Sequence, residues 1–224
     1  MSYSEYRKIA RDNLAGNWKT SVLVALVAVL LGGGVAASGF SINIDAEIFP
    51  KLPPVLVFIL STWASIAGML SIVQFVIGGT VELGYTQYLL KQYRKGDFSM
   101  GDLFSQFHRF TQGFLQKFLR GLFTFLWALL FVIPGIVKSL SYAMTPFIMA
   151  DNPELTAQEA INRSKELMDG HKADLFVLGL TFIGWSLLAT LTLGIGLLWL
   201  NPYINATYAA FYQSILPQNR LEEA

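Results

Sequence analysis

Eight polar side chains fall on two helical faces of an otherwise apolar chain. Lys138, Ser141, Tyr142 and Thr145 are spaced i, i+3, i+4 and i+7, and Asn201, Asn205, Tyr208 and Tyr212 are spaced i, i+4, i+7 and i+11. At 3.6 residues per turn, each set lines one side of a helix. Hydroxyls, carboxamides and one ammonium hold a polar or anionic ligand by hydrogen bonds without making or breaking covalent bonds. The pattern therefore marks a candidate polar cavity between the two helices, opening outward near Lys138. The same residues also read as interhelical hydrogen-bonding glue, with Lys138 reaching the outer interface on its long stem.

Groups that perform covalent chemistry are sparse. Cysteine is absent, which excludes a thiolate nucleophile, a disulfide and a thiolate metal site. The only histidines are His108 and His171. Asp169, His171 and Asp174 are close in sequence and read as a wet helix end, because a metal site needs more ligands than these stretches supply. No metal and no cofactor is expected. The phosphate loop, the zinc-protease HExxH pattern and the GxSxG elbow have no counterpart in the chain. Catalytic residues are accordingly not assigned. A membrane enzyme working on lipid headgroups from the cytoplasmic surface would have to use residues such as Glu82, Asp169 or His171.

The elements that must position these residues are set by an excess of apolar sequence. Of 224 residues, 54% are hydrophobic and 14% charged, with a mean hydropathy of +0.49. Soluble domains carry about a quarter charged residues. The apolar runs approach the roughly 20 residues that a helix needs to cross a bilayer, and lipid leaves backbone polar groups no partner outside a helix. The expected fold is an all-α polytopic membrane bundle of one domain. Six spans are predicted at about 20–40, 55–79, 114–133, 136–150, 174–191 and 197–216. Net charge is only +1, so no field calls for nucleic acid.

Local signals delimit the elements. Ser2 and Glu5 have capping-box spacing, and Tyr6, Ile9, Ala10 and Leu14 share a face, so 2–15 reads as an interfacial helix. The apolar core and small residues of 21–38 resemble a signal peptide, but five further apolar segments follow, and the run reads as an uncleaved first span. Ser61, Ala64, Ser65, Gly68 and Ser71 form a small-residue strip on the second span. Helical periodicity continues through 80–95. Ser99 and Asp102 start a helix predicted over 100–112, with Phe104, Phe107, Phe110, Phe114 and Phe118 as its packing stripe. Pro134-Gly135 and the glycines at 194 and 196 make turns. Thr156 and Glu159 cap a cytoplasmic helix over 156–169.

With the N-terminus inside, fourteen of the 16 Lys and Arg residues fall on the cytoplasmic side, leaving only Lys51 and Lys138 outside. The positive-inside rule then places both termini in the cytoplasm. Two hairpins also echo each other. Trp127-x-Leu129-Leu130 precedes Gly135 and Tyr142, and Trp185-x-Leu187-Leu188 precedes Gly196 and Tyr203. The glycine-to-tyrosine gaps are equal, while the tryptophan-to-glycine gaps differ by three.

The segments LWALLFVIPGIVKSLSYAM, DNPELTAQEAINRSKELMDGHKADLFVL and FIGWSLLATLTLGIGLLWLNPY, with the opening YRKIARDNLAGNW, resemble a bacterial membrane family catalogued as domain of unknown function 975. The resemblance implies a six-helix plasma-membrane protein, found mainly in Gram-positive bacteria, and carries no activity or catalytic residue. Two functional classes follow. One is non-enzymatic binding or transport of a small or lipidic ligand, or membrane scaffolding, with membrane lipids, a membrane-protein partner or a second copy as partners. The other is the headgroup enzyme.

Overall fold

A computed structural model describes residues 2–32, 53–192 and 194–216. The second half of the first predicted span, the acidic link to the second and the tail carrying Arg220 lie outside the described residues. Among the described residues every regular element is helical and none is a strand.

Helix α1, Tyr3–Leu14, starts at the predicted capping box: the Ser2 amide donates to Glu5 at 2.6 Å, and the Glu5 amide donates back to Ser2 Oγ. Tyr6, Ala10 and Leu14, one turn apart, are buried. Tyr6 sets its ring edge-on to Phe211 at 5.6 Å and bonds Ser214 through its hydroxyl. The apolar face of α1 is thus covered by protein. Gly16, at φ +82°, turns the chain by 103° into α2, Trp18–Leu30.

Helix α3, Pro54–Tyr93, is continuous over 40 residues, about 60 Å at 1.5 Å per residue. The stretches predicted at 55–79 and 80–95 are therefore one rod, since no glycine or proline inside it breaks the hydrogen-bond ladder. Its C-terminal half is the centre of the molecule. Val81, Leu83, Tyr85, Tyr88 and Leu89 are buried there. Two glycines permit this packing: a Cβ on Gly79 would run into the Gly113 carbonyl, and one on Gly84 into the Leu103 carbonyl.

The second contact explains a departure from the sequence expectation. In place of a helix over 100–112, the chain makes two 3-10 turns, Met100–Phe104 and Phe107–Arg109, before α4, Phe110–Leu130, begins. The Ser99/Asp102 box is formed, but it caps a tight turn that lets backbone lie directly on Gly84.

Two hairpins follow. In the first, α4 turns at Phe131 into α5, Val132–Ser141, which continues after a short turn as α6, Thr145–Asp151; the predicted turn residues Pro134 and Gly135 instead lie within the first turn of α5, where a proline costs no hydrogen bond. In the second, α8, Lys172–Leu180, and α9, Ile183–Leu191, lead into α10, Leu197–Ile215. Each closes on a glycine set against an alanine seven residues earlier. A Cβ on Gly135 would lie 2.8 Å from Ala128 Cα, and one on Gly196 would lie 2.9 Å from Ala189 Cα. The echo is therefore in register at alanine, glycine and tyrosine. Trp127 and Trp185 differ by about one turn, which keeps each on the same helix face.

Between the hairpins, α7, Ala157–Leu167, is capped by Thr156 and Glu159 as predicted. Its Ala157, Ala160, Ile161 and Ser164 are buried, and Ser164 Oγ donates to the Ser141 carbonyl at 2.8 Å.

By length and composition, Val132–Asp151 and Lys172–Leu191, 20 residues each, suffice to cross a bilayer, as would α1 and α2 together if they form one broken span. Among the described residues these two or three stretches are fewer than the six spans that the sequence predicts.

Ile161 is fully buried. Ile161→Asp, which puts a carboxylate on that face, should cost about 3 kcal/mol and lower the melting temperature of the purified protein by roughly 6–12 °C. Unchanged melting would mean that α7 is not held against α4 and α6.

Candidate functional site

The eight residues of the predicted cavity are dispersed over several partners. Lys138 lies with its ammonium 4.6 Å from the centroid of Trp127, a cation–π contact across the first hairpin. Ser141 Oγ returns to the Val137 carbonyl. Tyr142 packs its ring on Phe123, with Lys165 of α7 over its other side at 5.8 Å. Thr145 is fully buried and its hydroxyl has no hydrogen-bond partner among the described residues. On α10, Asn205 donates to the Asn201 carbonyl. Tyr208 borders a cleft of about 460 Å³ with Leu140, Phe147 and Phe176. Tyr212 stacks on Phe147 and donates to Asp151 at 3.1 Å. Most of these side chains face protein, but those of α5 turn toward α4 and α7, while Tyr212 joins the ionic cluster at the end of α3. They do not converge on one space.

Three ionic clusters surround the C-terminal half of α3. At its end, Arg94 grips Asp151 with two parallel hydrogen bonds of 2.8 and 2.9 Å. Gln213, turned with its carbonyl oxygen inward, accepts from Arg94 at 2.8 Å, so this paired charge ties α3, α6 and α10 together. One turn earlier, Lys91 meets Asp102 at 2.6 Å. Arg109 donates to the Met149 and Leu155 carbonyls and so covers the end of α6. Burial holds the Arg109 guanidinium below its usual range and the nearby Glu154 carboxylate opposes this. No local sequence signal announces these pairs, because their members are 11 to 57 residues apart.

The third cluster lies beside an open cleft. Glu82, only 3% exposed, accepts from Arg120 at 2.6 Å and from Gln116 at 3.5 Å. Sequence reading sends Glu82 to the cytoplasmic interface; instead it is sealed between α3 and α4 by the Gly79–Gly113 approach. Lys117 donates to the Gly32 carbonyl at 2.6 Å, at the C-terminus of α2, where a cation is favoured. The cleft, of about 710 Å³, is lined by Phe75, Phe114, Phe118 and Phe125 together with Lys117 and Arg120. Gly121 forms part of its wall, and a Cβ there would meet nothing within 4 Å. Part of the predicted phenylalanine stripe is thus the lining of a cleft.

A second, polar basin of about 630 Å³ is bordered by Asn152, Glu159, Arg163, Asp169, His171 and Tyr212. Asp169 and His171 do share it, but Glu82 belongs to the other cluster. Asp169 pairs with Lys172 at 3.4 Å and His171 with Asp174 at 3.6 Å, both as open surface pairs. Hydrogen bonds from the Thr156 hydroxyl and amide hold the Glu159 carboxyl below the usual carboxylate range. Among the described residues no group of three or more His, Asp or Glu side chains is arranged to hold a metal ion.

Removing one member of a buried pair strands the other. Arg120→Ala leaves Glu82 unpaired in a closed space and should cost about 3–5 kcal/mol. Glu82→Gln should cost less, because Arg120, at 21% side-chain exposure, can extend into the cleft. Thermal melts of the two variants check this order. The reverse order would mean that Glu82 is solvated.

A family model described as Protein of unknown function (DUF975) matches residues 1–139 and 129–219. No curated protein and no solved structure matches the chain. Since the two matched stretches together cover almost all of the 224 residues, the chain belongs to the DUF975 family.

Proposed function

We propose that this chain is a multi-pass protein of a Gram-positive plasma membrane that binds a lipidic ligand without covalent chemistry, in the cleft along α4. Six spans with both termini cytoplasmic remain the topology that best accounts for the charge distribution of the sequence.

The observation that carries the reading is the segregation of exposure. Charged pairs and buried polar groups gather around α3, α6 and the C-terminal half of α10. Large apolar side chains are turned outward elsewhere. At the first hairpin tip, Phe131, Val132 and Ile133 are 72%, 71% and 75% exposed, and Trp185, Leu187, Leu188 and Leu191 stand out from α9. A water-soluble surface does not carry contiguous apolar patches on this scale. Lipid is the solvent that such a surface fits. Trp127, Trp185 and Trp199 are also exposed, with the amphipathic rings that favour membrane interfaces.

A cleft that opens sideways from such a surface is reached from the lipid phase, and phenylalanines suit it to an acyl chain. Neither ionic cluster nor basin offers a free nucleophile set against a base, so ligand binding accounts for more of the geometry than headgroup catalysis does.

Topology is tested with single cysteines, for which the cysteine-free chain gives no background. A cysteine at Asp45 or Gly135 should react with an impermeant maleimide added to intact cells, and one at Ser99 or Asn162 should react only after lysis. Labelling of Ser99 from outside would overturn the arrangement.

A further inference from the structure

We infer that the cleft between α3 and α4 selects a phospholipid with a net negative headgroup, its phosphate held by Lys117 and Arg120 and an acyl chain lying along Phe118, Leu122 and Phe125. This rests on the reading of the chain as a lipid-binding membrane protein and adds the class of its ligand.

The argument begins with charge. The lining of the cleft includes two cations, Lys117 and Arg120, with one carboxylate, Glu82, paired to Arg120 behind them. The Glu82 charge is taken up by Arg120 and Gln116. Lys117 donates to the neutral carbonyl of Gly32, and Glu82, which attracts it, is the one carboxylate shared with Arg120, so the two cations keep a net positive charge among the described residues. Lys117 is partly buried beside Phe114 and Phe118, a setting in which a cation gains from a nearby anion. A phosphodiester entering the cleft would supply that anion.

Donor count agrees. An ammonium has three N–H donors and a guanidinium five. Among the described residues Lys117 uses one, toward Gly32, and Arg120 uses one, toward Glu82. The remaining donors belong to side chains that line the cleft. One turn of helix separates the two residues, so both reach the same phosphate from one face of α4. Along α4 the two cations interleave with Phe114 and Phe118, which stack at 5.9 Å, and past Arg120 the lining continues toward the hairpin as Leu122, Phe125 and Ala128. Cations near the start of the helix with an apolar wall beyond them match the polarity of a phospholipid. In the proposed topology α4 enters from the cytoplasm, which sets Lys117 and Arg120 within the first turns of the span, at the depth of inner-leaflet phosphates.

The head and tail contributions separate experimentally. The full chain is reconstituted in vesicles of equal phosphatidylglycerol and phosphatidylcholine, extracted gently, and its retained lipid weighed by native mass spectrometry. Both lipids carry a phosphate, and only the first carries net charge. Wild-type protein should retain phosphatidylglycerol roughly five-fold over phosphatidylcholine, the size expected for one cation acting near an anionic headgroup. Lys117→Gln should erase that ratio and Lys117→Arg should keep it. A purely structural Lys117 would shift melting without moving the ratio. Gly121→Phe, which enters the cleft where an added Cβ meets no protein atom within 4 Å, should lower retention of both lipids while leaving the fold intact. Equal retention of the two lipids by the wild type, or an unchanged ratio in Lys117→Gln, overturns the charge selection. In either case lipid that Gly121→Phe still expels leaves the lipid-binding reading standing. Release of bound phosphatidylglycerol by millimolar inorganic phosphate would reassign the site to free phosphate. A wild type that retains no lipid at all overturns both.

Discussion

Backbone meets backbone where α3 passes the start of α4. At Gly79 against Gly113, and at Gly84 against Leu103, no side chain fits between the two segments. Much else depends on this contact. It closes the space around Glu82, so the carboxylate must be paired within the protein, and Arg120 and Gln116 of α4 are the groups within reach. It brings Phe75 against Phe114, which forms the aromatic wall of the cleft. It also fixes where the 3-10 turns lie, and through them the Lys91–Asp102 pair and the hydrogen bonds from Ser105 and Gln106 to Gln87. Dispersion contacts of this kind are individually small, but close helix approach multiplies them, and small residues are the usual means.

The molecule has two kinds of interior order. Around the C-terminal half of α3 the packing is dense and polar groups pair across it: Ser21 with Tyr88, Gln92 with Asn13 and Ser21, Arg94 with Asp151 and Gln213. The hairpins α4–α5 and α9–α10 each close on an alanine–glycine contact and show their apolar sides outward. In water the second arrangement would be unfavourable. In lipid it is the expected one, because there the hydrophobic effect gives no reason to bury leucine.

Local features were legible from sequence where local physics decides them. All three capping boxes form, because each needs only residues three apart and a free helix start. The face of α1 with Tyr6, Ala10 and Leu14 follows from helical period alone. The hairpin glycines were visible, though their register was hidden by reading from tryptophan when alanine is the contacting residue. Long-range matters were not legible. Spacing put Lys138, Ser141, Tyr142 and Thr145 on one face, but which helix stands opposite is a tertiary fact, and α4 and α7 supply contacts that spacing assigned to α10. Phenylalanine spacing over 104–118 suggested a helix from 100, yet the close approach at Gly84 demands a tighter turn. The partners of Glu82 and Arg94 lie 38 and 57 residues away, beyond any pattern that a single sequence displays.

The central claim is that one part of this surface is solvated by lipid and another is sealed by protein. Photolabelling tests it most directly: vesicles containing a phospholipid with a diazirine on its acyl chain are irradiated and the adducts mapped by mass spectrometry. Adducts should concentrate on the exposed apolar residues of 115–137 and 176–199, with the cleft phenylalanines among them. Residues 144–149, 157–168 and 205–213 should be spared. Even labelling of those three segments, or none at the hairpin tip around Phe131, would contradict the account.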